Sequence, residues 1–297
     1  MQNTEQTQLS TRHDLAKIDK SKYSKEEWHL IREKRRAEKK QQRLLKAQES
    51  VPVQTNLPQK SVEHKNYVVC LKHGTKYSAK YVNTLYNMCK RHLTIPFEFV
   101  CFTEDPLGID SNVRIHPLPK IEHVHGWWYK PYFFSKDLPF KGTILYMDLD
   151  VVICKNIDKL FSFHNNKFCI IRDFNRSLRP DWKKMNSSIM KFTTPHMHYL
   201  YDEYIASPKS YIGRLAGDQD FIFEKTKSED FIWWPDEWIQ SYKWEMRDRR
   251  DLIRIDSKRN FKENKDPIVK PETCIAVFHG DPHPHEVTDR WVVDNWK

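Results

Sequence analysis

The sequence predicts an α/β protein in which a mostly parallel central sheet is flanked by helices and preceded by a basic helical N-terminal arm. Three observations support this prediction. From Tyr67 onward, short β-branched and aromatic runs alternate with stretches of helical spacing. The 297 residues are 39% hydrophobic and include ten Trp, enough apolar material for a sizeable core. Residues 1–65 differ from this texture, since they hold 15 Lys and Arg against 9 Asp and Glu.

The arm and its linker, residues 1–65, are predicted to be separate from a folded domain over residues 66–297. Ser24 and Glu27 form a capping box, and the chain then runs to Ser50 without Gly or Pro, which favours a helix. The apolar positions of this helix are too sparse for a continuous stripe, so we expect it to be solvated and the arm to be partly disordered. The alternative is contact between residues 12–48 and an anionic membrane or nucleic acid.

The net charge of +10 belongs mainly to the arm, because residues 66–297 hold 35 basic against 31 acidic side chains. Nucleic-acid binding by the domain is therefore not expected. No run of about 18 apolar residues indicates a membrane span, and the N-terminus lacks the layout of a secretory signal. We expect a cytoplasmic protein, with peripheral membrane contact through the arm as an option. The six Cys form no CxxC pair and are expected to be reduced and structural.

The domain begins with a βαβ unit, in which strand 67–71 is followed by a helix over 77–93 and a second strand over 97–105. A third strand is predicted over 113–119. A short helix follows over 127–138 despite Pro131, and a fourth strand, GTILYMDLDVVIC, runs directly into an acidic pair. The order of these elements is typical of a sheet whose strands are connected by helices.

Asp148 and Asp150 form this acidic pair at the end of the fourth strand. In extended chain, carboxylates two residues apart point the same way, toward the sheet edge where α/β proteins bind ligands. Two such carboxylates repel each other, and a divalent cation would neutralise them. Mg²⁺ or Mn²⁺ combines one or two carboxylates with phosphate oxygens, which indicates a nucleotide diphosphate as the third party. An Asp pair that merely caps a turn is the alternative.

The segment ILYMDLDVVICKNIDKLF resembles the "(I/V)LYLDxDxxVxxxIxxLF" segment of GT-A glycosyltransferases of the glycogenin and lipopolysaccharide galactosyltransferase type, which are family 8-like. In that family the DxD pair coordinates the metal bound to the donor diphosphate. The resemblance covers about residues 66–287. It implies a GT-A-like (Rossmann-like) fold, Mn²⁺ or Mg²⁺, and a nucleotide-sugar donor, with UDP and a hexose expected. It also implies a glycan, lipid-linked or protein acceptor, and retention at the anomeric carbon.

Two further segments follow in the order that the family shows. NSSIMKF resembles the family's "NxGxMxF" strand beside the sugar, which assigns Asn186 to the donor, although Ser188 stands where Gly is usual. AGDQDFIF resembles "DQDxxN" and implies that Asp218 contacts the donor sugar and that Gln219 lies near the reacting carbon. The simpler interpretation of GDQD is an Asp N-cap for the helix that follows.

CIAVFHGDPHPHEV resembles the "FHGxPKPHE" ending of such enzymes, which implies His279 as the third protein ligand of the metal. An imidazole beside two carboxylates suits Mn²⁺ better than Mg²⁺. His283 stands where relatives carry a phosphate-binding Lys, and Lys130 resembles the basic residue before the DxD strand. Gly74 and Tyr77 follow strand one, where the nucleotide base and ribose would lie.

Several alternatives remain open from the sequence. An inverting enzyme would need a general base, for which Asp218, Asp220 and Asp173 are the candidates. Trp127 and Trp128 could form a platform against sugar or base, although core packing is expected for at least one. A nucleotidyltransferase is a rival, but KHGTKYSAK is a poor phosphate-binding loop. A nucleic-acid or membrane-surface binding protein with an inactive transferase-like body is another, and deletion of residues 1–60 would discriminate.

Overall fold

The computed structural model describes Ser24, Trp28, His29 and residues 65–247 and 267–297. The chain divides into two units, Met1–Val62 and Glu63–Lys297. In the first unit Trp28 and His29 are helical, and the backbone N–H of Trp28 donates to the carbonyl of Ser24 at 2.9 Å. This hydrogen bond is one helical turn at the position of the predicted capping box. The rest of the predicted arm and linker lies outside the described residues.

The described part of the second unit contains ten strands. They are β1 (Lys65–Lys72), β2 (Glu98–Thr103), β3 (Arg114–His116), β4 (Gly142–Met147), β5 (Val151–Ile153), β6 (Phe168–Arg172), β7 (Met185–Thr193), β8 (Phe231–Trp233), β9 (Ile239–Ser241) and β10 (Ile275–Val277). Seven of them form the central sheet in the order β3-β2-β1-β4-β7-β6-β8. Strand β7 is antiparallel to both β4 and β6, and the other four pairings are parallel. The prediction of a mostly parallel central sheet is confirmed.

Helices cover both faces of this sheet. They are α1 (Ala79–His92), α2 (Asp158–Ser162), α3 (His198–Ala206), α4 (Pro208–Arg214), α5 (Asp218–Lys225) and α6 (Arg290–Asn295), with 3₁₀ helices at Gly126–Phe134, Phe174–Ser177 and Pro284–Glu286 and a π-helical turn at Tyr242–Met246. Along β1, Val68 and Cys70 join the core on the face of α1, whereas Tyr67 and Val69 join the core on the opposite face. This alternation follows from the two-residue period of a strand buried on both faces.

The predicted short helix across Pro131 is confirmed as the 3₁₀ helix Gly126–Phe134. Because proline has no backbone N–H, it cannot continue a regular α-helical ladder, and the tighter 3₁₀ form keeps the segment short. Trp128 is buried and stacks on Tyr204, with ring centroids 6.2 Å apart, so the expected core role holds for this tryptophan. Trp127 is exposed.

The predicted fourth strand, GTILYMDLDVVIC, is wrong in its extent, because the chain bends at the acidic pair. Strand β4 ends at Met147, and β5 begins at Val151 as part of a separate sheet with the order β5-β10-β9. Asp148 still bonds to the central sheet, since its N–H donates to the carbonyl of Ser188 at 2.8 Å. Asp150 already belongs to the smaller sheet, since its carbonyl accepts from the N–H of Phe278 at 3.1 Å.

The six cysteines all lie in the described part of the chain, and none of them forms a disulfide, as the sequence predicts. Five are buried and Cys154 is partly exposed. Within the described ranges, no helix has the length and apolar character needed to cross a bilayer.

Candidate active site

The acidic pair lies where the chain passes from the large sheet to the small one. The carboxylate of Asp148 accepts two hydrogen bonds. One comes from Tyr146 Oη at 2.7 Å, and the other comes from Lys130 Nζ, which lies 2.9 Å from Asp148 Oδ1. Lys130 is supplied by the 3₁₀ helix and its side chain is only 6% exposed. Lys130, which the resemblance assigns to the donor phosphates, contacts the acidic pair in the fold; its role toward the phosphates stays a prediction.

Lys130 is a buried ammonium ion that lies between two carboxylates. Its Nζ lies 3.9 Å from Asp218 Oδ2, in addition to its contact with Asp148. Burial acts to lower the pKa of Lys130, but the nearby charges of Asp148 and Asp218 outweigh it, and the pKa lies above its ordinary value. The ammonium ion is therefore held in its charged form, and its charge compensates the buried Asp218 and the partly exposed Asp148.

Strand β7 contributes a bulge to the site. Its register against β6 jumps between Ile170, which faces Met190, and Ile171, which faces Asn186. The extra residues are re-aimed toward the acidic pair: Ser187 Oγ accepts from Lys130 Nζ at 3.1 Å, and Ser188 supplies the carbonyl that holds Asp148.

The side chain of Asn186 stabilises this bulge, because its Oδ1 accepts from the N–H of Ser188 at 3.1 Å. Asn186 and Ser188 are both buried. The predicted strand over NSSIMKF is confirmed as part of β7. Ser188, the departure from the family's usual Gly, lies within the bulge.

Asp218 is the first residue of α5, whose N-cap is Gly217. The helix predicted after GDQD is present, but the interpretation of Asp218 as its N-cap is wrong by one residue. The side chain of Asp218 is 6% exposed, and its Oδ2 accepts no hydrogen bond from the residues that the structure describes. Burial raises the pKa of Asp218 and Lys130 offsets this only in part. Gln219 is half-buried, and its side chain forms no hydrogen bond with the described residues.

Asp150 faces a different set of neighbours. Its Oδ2 accepts from the hydroxyl of Tyr77 at 3.0 Å and lies 3.9 Å from His283 Nδ1. Burial and then the charge of Asp148 raise the pKa of Asp150. Burial, followed by the two carboxylates, also raises the pKa of Tyr77, so its hydroxyl remains a hydrogen-bond donor. Tyr77 is thus brought to the acidic pair.

The two predicted histidines differ in their surroundings. His279 Nε2 lies 2.6 Å from Ser241 Oγ, and its ring stacks on Phe174 with centroids 5.1 Å apart. His283 Nδ1 is buried, lies 3.9 Å from Asp150 Oδ2 and has no hydrogen-bond partner in the described part of the chain. Burial lowers the pKa of His283, which favours the neutral imidazole that can ligate a metal.

A group of possible metal ligands was missed by the sequence reasoning. Asp281, His283 and Glu286 each offer one ligand atom, and these atoms lie within 4.8 Å of one another, so they could hold a metal ion. His283 Nε2 is 3.6 Å from Asp281 Oδ1, and Glu286 accepts from the N–H of His283 at 2.6 Å. The D-x-H-x-x-E spacing was visible in the sequence, but only the turn brings the three together.

Gly74 lies in the loop after β1, in the left-handed backbone region at φ +65°. Its N–H donates to Glu104 Oε1 at 2.5 Å, a residue that follows β2 and that the sequence reasoning did not select. Gly74 is therefore fixed by Glu104, and the chain reaches the acidic pair three residues later, at Tyr77.

Several solved structures to which this chain is similar are glycosyltransferases. GlyE of Streptococcus pneumoniae TIGR4 is 13% identical with a TM-score of 0.52, over 75% of this chain and 56% of GlyE. The galactosyltransferase LgtC, solved with donor and acceptor sugar analogs, is 11% identical with a TM-score of 0.51, over 77% of this chain and 94% of LgtC. The bifunctional glycosyltransferase WbbM is 13% identical with a TM-score of 0.50, over 75% of this chain and 47% of WbbM.

At these identities the likeness shows the fold, and the GT-A-like architecture predicted from the sequence is confirmed. The chain spans about half the length of GlyE and WbbM. No protein-family model and no curated protein matches the sequence. The closer assignment to the family 8-like type stays a prediction.

Proposed function

We propose that this protein is a metal-dependent glycosyltransferase that moves a hexose from a nucleoside diphosphate-sugar, expected to be UDP-linked, to an acceptor hydroxyl. The observation that carries the proposal is the cluster of Asp148, Lys130 and Asp218, with Asp150 beside it, at the carboxyl end of β4. In α/β folds this edge of the sheet is where ligands bind. Buried, mutually repelling carboxylates at that edge suit a cation and a diphosphate better than they suit a purely structural role.

The residues present fit a divalent metal. Asp150 is a buried carboxylate whose pKa is raised by burial and by its acidic neighbour, and a cation would relieve both effects. Asp148 and Asp150 would hold the ion, together with an imidazole. His279 is the imidazole that the resemblance implies, and His283 offers an unpartnered nitrogen facing Asp150. When bound, Mn²⁺ or Mg²⁺ would neutralise the diphosphate leaving group.

Individual side chains receive roles in this proposal. Lys130 would orient the Asp148 carboxylate through their direct contact. Asp218 would accept a hydrogen bond from a hydroxyl of the donor sugar, since its Oδ2 has no hydrogen-bond partner among the described residues. Gln219 would lie near the reacting carbon. Tyr77 fixes Asp150 while its ring and Gly74 border the nucleoside, and His283 faces the phosphates.

Transfer with retention, which the resemblance implies, remains part of the proposal. Because the amide of Gln219 is a poor nucleophile, retention would proceed without a covalent intermediate on Gln219. One candidate base for inversion is disfavoured by its contacts. Asp173 Oδ1 accepts hydrogen bonds from the N–H of Asn175 and from the indole of Trp182 at 3.0 and 2.9 Å. The anomeric configuration of the product, read from its proton coupling constant by NMR, decides between retention and inversion.

The proposal is tested by measuring release of nucleoside diphosphate from UDP-, GDP- and ADP-sugars by the full chain, with Mn²⁺ or with chelator. We expect release from one donor, abolished by chelation. Folded protein that neither binds nor turns over any nucleotide sugar would contradict the proposal and would favour the binding-protein alternative. Contact of residues 12–48 with a membrane surface, and placement of the enzyme next to a lipid-linked acceptor, stay predictions outside the described residues.

A further inference from the structure

Trp127 is an exposed tryptophan on an element that otherwise contributes to the core. Its residue is 53% exposed, while Trp128, its neighbour, is 3% exposed. In a 3₁₀ helix, side chains three residues apart lie on the same side, so Trp127 shares a face with Lys130. Lys130 contacts the carboxylates, whereas Trp127, three residues earlier on the same helix, is exposed. Core packing therefore does not account for this indole.

The indole of Trp127 also lies close to Gly217, at the start of α5. A Cβ placed on Gly217 would lie 3.5 Å from Trp127 Nε1, so the ring borders the residue that precedes Asp218. Lys130 Nζ in turn lies 3.9 Å from Asp218 Oδ2. Trp127 thus covers the end of the site that Lys130 and Asp218 form.

The contacts give the site a direction. At one end, the hydroxyl of Tyr77 donates a hydrogen bond to Asp150. From Asp148, the other carboxylate of the pair, the line of contacts passes to Lys130 and then to Asp218 at the other end. In the proposed function the nucleoside lies by Tyr77 and the diphosphate lies by the acidic pair. The transferred sugar then reaches Asp218, and the acceptor approaches from the solvent beyond it.

The indole offers two binding features to that acceptor. One is an exposed aromatic face, and the other is the Nε1–H, which donates no hydrogen bond to the described residues. A pyranose ring matches both, because it has a face of C–H groups and a rim of hydroxyls. Amphipathic rings of this kind are used where one side of a contact is apolar and the other is wet.

We propose that Trp127 is the acceptor platform and that the acceptor is a carbohydrate whose pyranose ring stacks on the indole. This inference rests on the proposed function. In the transfer, the acceptor hydroxyl oxygen forms the new bond to the anomeric carbon. The bond from that carbon to the diphosphate oxygen breaks, and the hydroxyl proton leaves with the diphosphate.

The test uses the full chain and a panel of methyl glycosides as acceptors, with diphosphate release as the first readout. The glycoside that accelerates release most is then used to compare wild type, Trp127→Ala, Trp127→Phe and Val293→Ala. Val293 is a matched control, since it is 57% exposed on α6. We expect Trp127→Ala to raise the acceptor KM roughly 5- to 10-fold, while the donor KM changes less than about twofold. Trp127→Phe should retain most of the affinity.

Three results would overturn the inference: an unchanged acceptor KM in Trp127→Ala, an equal rise in Val293→Ala, or acceleration by peptides or lipid-linked alcohols but by no glycoside. Diphosphate release without acceptor separates this failure from failure of the proposed function. If wild type releases no diphosphate from any donor, the proposed function falls as well. If it does release diphosphate, only the assignment of Trp127 is overturned.

Discussion

The buried ammonium ion of Lys130 lies between two carboxylates of the acidic site, Asp148 and Asp218. It contacts Asp148, which is partly exposed, at 2.9 Å and lies 3.9 Å from the buried Asp218. Removing one partner from such a buried cluster leaves uncompensated charge, which is more costly than never having buried the group. The residue therefore contributes to stability and to the site at once.

Replacing Lys130 with Met should destabilise the fold by about 3 kcal/mol and lower diphosphate release roughly 100-fold, because the buried Asp218 and the partly exposed Asp148 lose their compensating charge. Lys130→Arg should recover part of both losses. Urea unfolding and donor kinetics measure the two effects. The matched control is Lys136→Met at an exposed position just after the same 3₁₀ helix. Equal behaviour of Lys130→Met and this control would refute the electrostatic role.

Strand β7 is the element that shapes the donor side of the site, because its bulge turns Ser187 and Ser188 toward Lys130 and Asp148. Such a bulge needs its unpaired backbone groups satisfied. The amide oxygen of Asn186 does this for the N–H of Ser188.

Asn186→Ala should therefore leave a buried N–H without a partner, at a cost of about 2 kcal/mol. We also expect the donor KM to rise about tenfold, since a shift of the bulge moves groups that position both Lys130 and Asp148. Thermal unfolding and donor kinetics are the measurements, with exposed Asn166→Ala as the control. A wild-type donor KM in Asn186→Ala would show that the bulge does not contribute to donor binding.

Helix α2 is fastened to the loop after α1 by its first residue. Asp158 Oδ1 accepts from the N–H of Thr94 at 2.9 Å, and Asp158 Oδ2 accepts from Asn156 Nδ2 at 3.0 Å. Burial acts to raise the pKa of Asp158, but the hydrogen bonds from Thr94 and Asn156 outweigh it and the pKa lies below its ordinary value.

A depressed pKa in the folded state means that the unfolded chain binds the proton of Asp158 more readily than the folded chain does. The stability that Asp158 contributes is therefore complete above the ordinary pKa of about 3.9, and it is lost as the pH falls through the lower pKa of the folded state. Asp158→Asn should cost about 1 kcal/mol at neutral pH, a partly exposed group being screened by solvent, and little below about pH 3. Unfolding free energies between pH 2 and 7 measure this, with Asp137→Asn at an exposed position as the control. A cost that is the same at every pH would contradict the linkage.

At the scale of the molecule, the parallel half of the sheet could be predicted because its strands and helices have clean periodicity. The bend at the acidic pair could not be predicted, because the sequence around Asp148 and Asp150 is one continuous apolar run. Only the tertiary pairing of β5 with β10 shows that strand β4 stops before the pair and that a second sheet begins after it. Motif spacing selected Asp148, Asp150 and Asp218. Their partners depend on tertiary contacts, as with Tyr77 Oη on Asp150, from a residue 73 positions away. Asp281 and Glu286 were missed because a turn creates their proximity.

The most direct test of the central claim, that Asp148 and Asp150 hold a metal ion against a diphosphate, is a Mn²⁺ titration followed by electron paramagnetic resonance in the presence of UDP. Wild type and Asp137→Asn should bind one Mn²⁺ and should be stabilised by about 2.7 kcal/mol at a ligand concentration 100 times Kd. Asp148→Asn and Asp150→Asn, folded by circular dichroism, should lose at least about tenfold in Mn²⁺ affinity. Mn²⁺ binding by both variants with wild-type affinity would contradict the account.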